Sequence, residues 1–416
     1  MLYEKDGRLV CSYDGEKLWI EPWSANAFRV RATKLSTMPT ENWALQQPLQ
    51  TGSQPTISVS KEQATITNGK IEAVVTNRGK VTFYNATGTV VLKEYARNRR
   101  DVLDPNCSAI EIEAREFKPI RGGDFHLTMR FESLDPREKI FGMGQYQQPY
   151  LDLKGLDLEM AQRNSQASVP FALSSLEYGF LWNNPAIGRA VFGKNALDYW
   201  VVVGDTPAEI SESYAQVTGT VPMMPEYGLG FWQCKLRYEM QEEVLEVARE
   251  YRRRELPIDL IVIDFFHWPM RGEWKFESAH FPDPDAVVRE LRELQIELMI
   301  SIWPTVDKRS QNYQEMMERG YLVRTERGIR TNFDFGGETV YYDSTNPDAR
   351  KYVWDKAKQN YYAKGIKVFW LDEAEPEYSV YDFDNYRYHA GPTLSVGNIY
   401  PRDYARAFYE GMEQEG

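Results

Sequence analysis

The chain has 416 residues, 42% hydrophobic and 26% charged, a balance that fits a globular protein with room for two or three domains. A formal charge of −12 argues against nucleic acid or an anionic membrane as the main partner, because phosphate binding needs clustered Lys and Arg. Its three cysteines, Cys11, Cys107 and Cys234, are too few and too scattered for a disulfide framework or a zinc site, which points to a reducing compartment.

The first residues, Met1 to Asp6, lack a basic stretch followed by an apolar one, and no run reaches membrane-spanning length, so the expectation is a cytoplasmic protein. Up to about Asp205 apolar positions alternate with period two, as in Phe28-Arg29-Val30-Arg31, Ala64-Thr65-Ile66-Thr67, Lys70 to Val75 and His126 to Phe131. These are antiparallel strands, with Asn68-Gly69 expected in a type I′ hairpin turn and Asn85 to Gly88 closing another hairpin. Short strands with Gly and Asn turns predict a β-sandwich over residues 1–222. Phe141-Gly142-Met143-Gly144-Gln145-Tyr146 holds a G-x-G pair without the further glycine of a dinucleotide site, so it reads as a tight loop.

Thr206-Pro207 supplies an N-cap and a first helical proline, and Gly219 ends that helix just before the domain boundary. Beyond it strands and helices alternate. Strands are expected at 228–234, 260–264, 296–303 and 366–372, with helices near 240–254, 285–294 and 347–363 and a last one opening near Pro401. This order is that of a (β/α)8 barrel, and four strands are half of the eight it needs. Residues 223–416 therefore predict a barrel incomplete at its C-terminal end.

In the last strand, Val368-Phe369-Trp370-Leu371 runs into Asp372, Glu373, Glu375 and Glu377, as a buried parallel strand does when its C-terminal end opens onto a reaction site. Asp372 is the candidate nucleophile. Asp264 ends the second strand, and Trp303 and Trp370 lie near strand ends as candidate pocket walls. Trp268 and Trp274 read as exposed loop aromatics that serve either a ligand or a subunit interface, the latter giving a homo-oligomer. His126, His267, His280 and His389 show no paired spacing, and Asp382-Phe383-Asp384-Asn385 lacks the later Gly and Glu of a calcium loop, so neither metal nor cofactor is expected. No G-x-S-x-G elbow occurs either.

Trp370-Leu371-Asp372-Glu373-Ala374-Glu375-Pro376 resembles the W-x-D-x-x-E-P nucleophile signature of glycoside hydrolase family 31. Gly230-Phe231-Trp232-Gln233, Leu256 to Asp264, Phe281-Pro282-Asp283-Pro284 and Ser301-Ile302-Trp303-Pro304 are similar to that family's first three barrel strands and their loops. Val396 to Pro401 and the Glu-Pro-Glu tail look most like its α-xylosidase branch. The resemblance implies an N-terminal sandwich, then a TIM barrel that cleaves terminal α-linked xylose or glucose from an oligosaccharide or glycoside with retention. It implies Asp372 as nucleophile, Glu375 as its orienting neighbour or a backbone cap, and Asp264 as acceptor from a sugar hydroxyl. Trp303 and Trp370 would wall the pocket, while Gln145 and Tyr146 either touch substrate or pack the interdomain seam.

Retention needs a second carboxyl about 5 to 5.5 Å from the first. The family carries it after the fifth strand, so the missing half of the barrel is expected from a continuing or associated polypeptide. The alternatives are a non-catalytic carbohydrate-binding or assembly protein that lacks the acid/base, and an α-transglycosylase. An aldolase or isomerase barrel would ask for a Lys or a phosphate loop that is not found.

Overall fold

The alternating apolar positions of the first two hundred residues become strands whose inward side chains meet in one core. In the computed structural model, which describes residues 1–46, 55–99, 107–120, 122–188, 197–326, 332–379 and 383–416, Met1–Val221 and Pro222–Gly416 form separate units. Asp382 of the rejected calcium loop lies outside the described residues.

In the N-terminal unit an antiparallel eight-stranded sheet runs, in spatial order, Leu2–Lys5, Arg8–Tyr13, Glu16–Pro22, Ala27–Thr33, Leu197–Val203, Tyr178–Trp182, Ala167–Ser174 and Ile140–Gln145. A second sheet has five strands, Thr56–Val59, Gln63–Asn68, Ile71–Thr76, Val81–Tyr84 and Val90–Lys93. Leu18, Phe28, Val30 and Val201 of the first sheet share a core with Ile66, Ala73, Val75 and Phe83 of the second, the layering of a sandwich. Helix Pro207–Thr218 closes the unit, with the Thr206 hydroxyl accepting from Glu209 N at 3.2 Å and Gly219 past its end.

Two turns differ from the sequence expectation. Asn68 stays in the ladder opposite Ile71, and its buried amide donates to the Ser24 and Ala27 carbonyls at 2.9 Å each. Those bonds hold it in the strand, so the turn falls on Gly69 and Lys70, with only Gly69 at positive φ. The G-x-G pair is no loop but part of edge strand Ile140–Gln145, bulged between Gly142 and Gly144. Glycine is required there because a Cβ at Gly144 would stand 2.1 Å from the Ala167 carbonyl oxygen.

The second unit alternates β1 (Trp232–Cys234), α1 (Gln241–Arg253), β2 (Leu260–Ile263), α2 (Pro284–Glu293), β3 (Glu297–Ile302), α3 (Pro347–Asn360), β4 (Val368–Leu371) and α4 (Tyr400–Glu413). The four strands pair in parallel in the order β1-β2-β3-β4. The helices begin where their first-turn donors find acceptors: Asp283 takes Ala286 N at 2.9 Å before α2, and Asn346 takes Asp348 N at 3.0 Å before α3. Helix α2 turns Val287, Val288 and Leu291 inward. Between β3 and α3 the chain inserts an antiparallel ribbon, Thr305–Asp307 against Thr339–Tyr341.

The first parallel strand is shorter than the sequence suggests, because a 3-10 turn, Glu226–Leu229, occupies its expected start. The Asp259 carboxylate takes the Phe231 N–H at 3.0 Å, a donor that a ladder would otherwise use.

Candidate active site

In a parallel sheet linked through helices every strand delivers its C-terminal end to the same edge. The residue that follows β2 is Asp264, the one after β3 is Trp303, and the one after β4 is Asp372. Three residues singled out from the sequence thus arrive at one edge on adjacent strands. In β4 the Phe369 ring packs against Trp354 of α3 and Phe408 of α4, at centroid distances of 6.4 and 5.2 Å. Trp370, and two residues on Asp372, take the alternate positions, and Trp370 is 39% exposed.

Asp372 is fixed at both ends. Its N–H donates to the Ile302 carbonyl at 3.0 Å, and its Oδ2 accepts from Trp303 Nε1 at 3.0 Å. Burial pushes its carboxyl above the ordinary aspartate range, while the Glu373 N–H and the Trp303 indole pull it back. Asp264 is 7% exposed and accepts from Phe265 N at 2.7 Å. Burial raises its pKa first, and the negative charge of Asp372 raises it further.

The turn after β2 is pinned by His267. Its Nδ1 lies 3.0 Å from the Asp264 carbonyl oxygen and its Nε2 2.9 Å from the Tyr361 hydroxyl. A carbonyl only accepts, so Nδ1 carries the proton and Nε2 receives the one from Tyr361. Complete burial lowers the imidazole to about 4 and keeps it neutral.

Trp303 sits in an aromatic cluster with Phe265, Phe266, Trp268, Phe333 and Phe335 at centroid distances of 5.2 to 6.3 Å. Trp274 Nε1 donates to the Trp303 carbonyl at 3.0 Å. Trp268 and Trp274 are therefore buried supports rather than the exposed loop aromatics expected, because the loop after β2 folds back over the strand ends.

Glu375 is half-buried, and burial together with the charges of Asp372 and Glu377 raises its carboxyl. Among the described residues the side-chain hydrogen bond that fixes the Asp372 carboxylate comes from Trp303. Gln145 and Tyr146 belong to the N-terminal unit: Gln145 ends its edge strand exposed, and the Tyr146 hydroxyl donates to Ser168 Oγ at 2.9 Å.

Three features had no readable signal in the sequence. Glu373, beside Asp372, lies 3.2 Å from the Tyr341 hydroxyl on the inserted ribbon. Burial, and then the charges of Glu377 and Asp372, push its carboxyl up to about 8. Arg271 is 4% exposed, its guanidinium 5.8 Å from the Phe266 and Phe333 rings, and its Nη1 has no partner among the described residues. Third, Phe333 and Phe335 reach the cluster from the inserted ribbon. Among the described residues no group of three or more His, Cys, Asp or Glu is placed to hold a metal ion, and no helix is long and apolar enough to cross a membrane.

A carboxylate aimed by two donors, a second carboxylate free to accept hydroxyls and flat apolar walls form a site suited to a polyhydroxylated ring. Comparison with known proteins points the same way. Residues 17–189 match the family model described as Glycosyl hydrolase 31 N-terminal galactose mutarotase-like domain, and residues 221–416 the one described as Glycosyl hydrolases family 31 TIM-barrel domain. A protein of Pseudescherichia vulneris named uncharacterized family 31 glucosidase ORF2 is 51% identical over 433 residues, covering 100% of this chain and 81% of its own length. Alpha-xylosidase A of Aspergillus niger is 31% identical over 95% of this chain and 59% of its own length. The crystal structure of a GH31 alpha-xylosidase from a soil metagenome, complexed with xylose, superposes with a TM-score of 0.97 at 55% identity. That match covers 100% of this chain and 64% of the metagenomic one, so the chain spans under two thirds of two of these three relatives.

Proposed function

Because the chain belongs to glycoside hydrolase family 31, we propose that it carries the nucleophile half of a retaining α-glycosidase that removes terminal α-linked xylose. The observation that carries the reading is the Asp372 carboxylate at the end of β4, held by Trp303 Nε1 and flanked across β3 by Asp264. In this role Asp372 attacks the anomeric carbon and forms a glycosyl ester, while Asp264 accepts from a hydroxyl of the same sugar. Trp303 and Trp370 face the ring, and Glu375 lies beside Asp372 as its half-buried neighbour. The α-xylosidases among the relatives favour xylose, and an α-glucosyl unit is the alternative.

In the same reading the units Met1–Val221 and Pro222–Gly416 are an N-terminal sandwich domain and the first four βα units of a (β/α)8 barrel. Support comes from Phe231, Trp232 and Trp370, which leave large apolar side chains exposed on the two outer parallel strands or beside them. The general acid then belongs to a later barrel strand, supplied by a continuing or associated polypeptide. The test is release of sugar from aryl α-xyloside and aryl α-glucoside by the complete polypeptide that carries this chain. Faster release from the xyloside supports the reading; sugar binding with neither substrate cleaved would favour a carbohydrate-binding protein instead.

A further inference from the structure

Glu373 follows the proposed nucleophile, yet the proposed reaction gives it no task. Its backbone is left-handed, with φ at +57°, which takes its side chain out of the alternation of β4. The carboxyl meets the Tyr341 hydroxyl at 3.2 Å, and the same hydroxyl lies 3.1 Å from the Glu377 carbonyl oxygen. A phenol has one proton, and a carbonyl oxygen can only accept it. The Tyr341 hydroxyl thus faces two acceptors with one proton, and both contacts are hydrogen bonds at once only when Glu373 carries a proton of its own and donates it to the phenol oxygen. The Glu377 carboxyl stands near Glu373 as well, and its charge opposes ionisation there.

We infer that Glu373 is a positioning residue held as a neutral carboxylic acid, which ties the turn 373–377 to the inserted ribbon through Tyr341 and keeps a second negative charge off Asp372. The inference rests on the reading of Asp372 as nucleophile. The groups that face Glu373 are Asp372 and Glu377 on its own turn, Tyr341 on the ribbon, Arg271 after β2 and Tyr404 on α4. Burial keeps the Tyr341 and Tyr404 phenols protonated, so the charges that oppose ionisation of Glu373 are those of Asp372 and Glu377, while Arg271 and a hydrogen bond from the Tyr341 hydroxyl favour it and do not outweigh burial. The carboxyl is pushed up to about 8, which puts its ionisation on the alkaline side of neutrality.

The experiment compares E373A and E373Q in the complete polypeptide that carries this chain, following kcat and KM for an aryl α-xyloside across pH. It also records the infrared carboxyl band of wild type minus E373Q, which needs no turnover. E373A is expected to lose about tenfold in kcat with little change in KM. E373Q, neutral and able to donate, restores kcat to within about threefold of wild type and lacks the alkaline limb near pH 8. The difference spectrum should show a protonated carboxyl that vanishes over the same range. A loss in E373Q as deep as in E373A, an unchanged alkaline limb, or no protonated carboxyl at neutral pH would each overturn the inference. If neither aryl glycoside is cleaved, the proposed reaction fails, and the infrared band still decides the state of Glu373.

Discussion

Trp303 Nε1 donates to Asp372 Oδ2 at 3.0 Å, a bond between two residues that each stand one position past the end of a neighbouring parallel strand. It fixes the carboxylate in one orientation, and Trp274 holds the donor from behind through the Trp303 carbonyl. Trp303→Phe keeps the flat ring and removes the donor. A hydrogen bond to a charged group contributes about 1.5 to 3 kcal/mol, so kcat/KM is expected to fall about 10- to 100-fold. The acid limb should move upward as well, because the lost donor favoured the ionised form. A pH–rate profile identical to wild type would leave Trp303 a packing residue.

Asp264→Asn keeps shape and hydrogen bonding but removes the charge that would accept from a sugar hydroxyl. The expected loss in kcat/KM is about tenfold or more, with the unfolding midpoint unchanged or raised, since burial and Asp372 both oppose the charge in the folded state. Kinetics equal to wild type would make Asp264 structural.

Burial gives the second unit a definite pH dependence of stability. Asp264, Asp372, Glu373 and Glu375 all hold their protons more tightly when folded, with Glu373 raised from the ordinary 4.5 to about 8. Below the unfolded value this contribution is fully present, and it is lost as pH rises from there to about 8. The urea midpoint of this unit should therefore be lower at the alkaline end of that window than at the acid end, and E373Q should flatten the slope. A midpoint that rises with pH across it would contradict the burial of these carboxyls.

In the N-terminal unit Gly144 has φ at +95° and no room for a Cβ beside the Ala167 carbonyl, whereas Gly155, at +84°, has nothing within 4 Å. Gly144→Ala should destabilise by about 1 to 3 kcal/mol or more through strain and clash, and Gly155→Ala by about 1 kcal/mol from backbone strain alone. Equal midpoints for the two variants would mean that the bulge yields to accommodate the methyl.

The strand-end positions of Asp264, Trp303 and Asp372 were legible because an apolar strand that stops at a polar or aromatic residue marks its own end, and parallel order brings those ends together. Helix Pro207–Thr218 was legible because Thr206 is a cap followed by proline, a signal carried within two residues, and Asp283 and Asn346 stand before prolines in the same way at the starts of α2 and α3. The contact of Glu373 with Tyr341 joins residues far apart in the chain through an inserted ribbon, and no periodicity announces it. Trp268 and Trp274 look like loop aromatics in the sequence, since burial of a loop depends on what it folds against. The short β1 and the bulge at Gly142–Gly144 were missed because each is decided by a contact from elsewhere in the chain, Asp259 in one case and Ala167 in the other.

In the proposed reaction a carboxylate oxygen of Asp372 bonds the sugar. The complete polypeptide that carries this chain, incubated with a 5-fluoro α-xylosyl fluoride, digested and mapped by mass spectrometry, tests that directly. One added glycosyl group is expected, located on Asp372 and absent from Asp372→Ala. A label on any other carboxylate, with Asp372 unmodified, would contradict it.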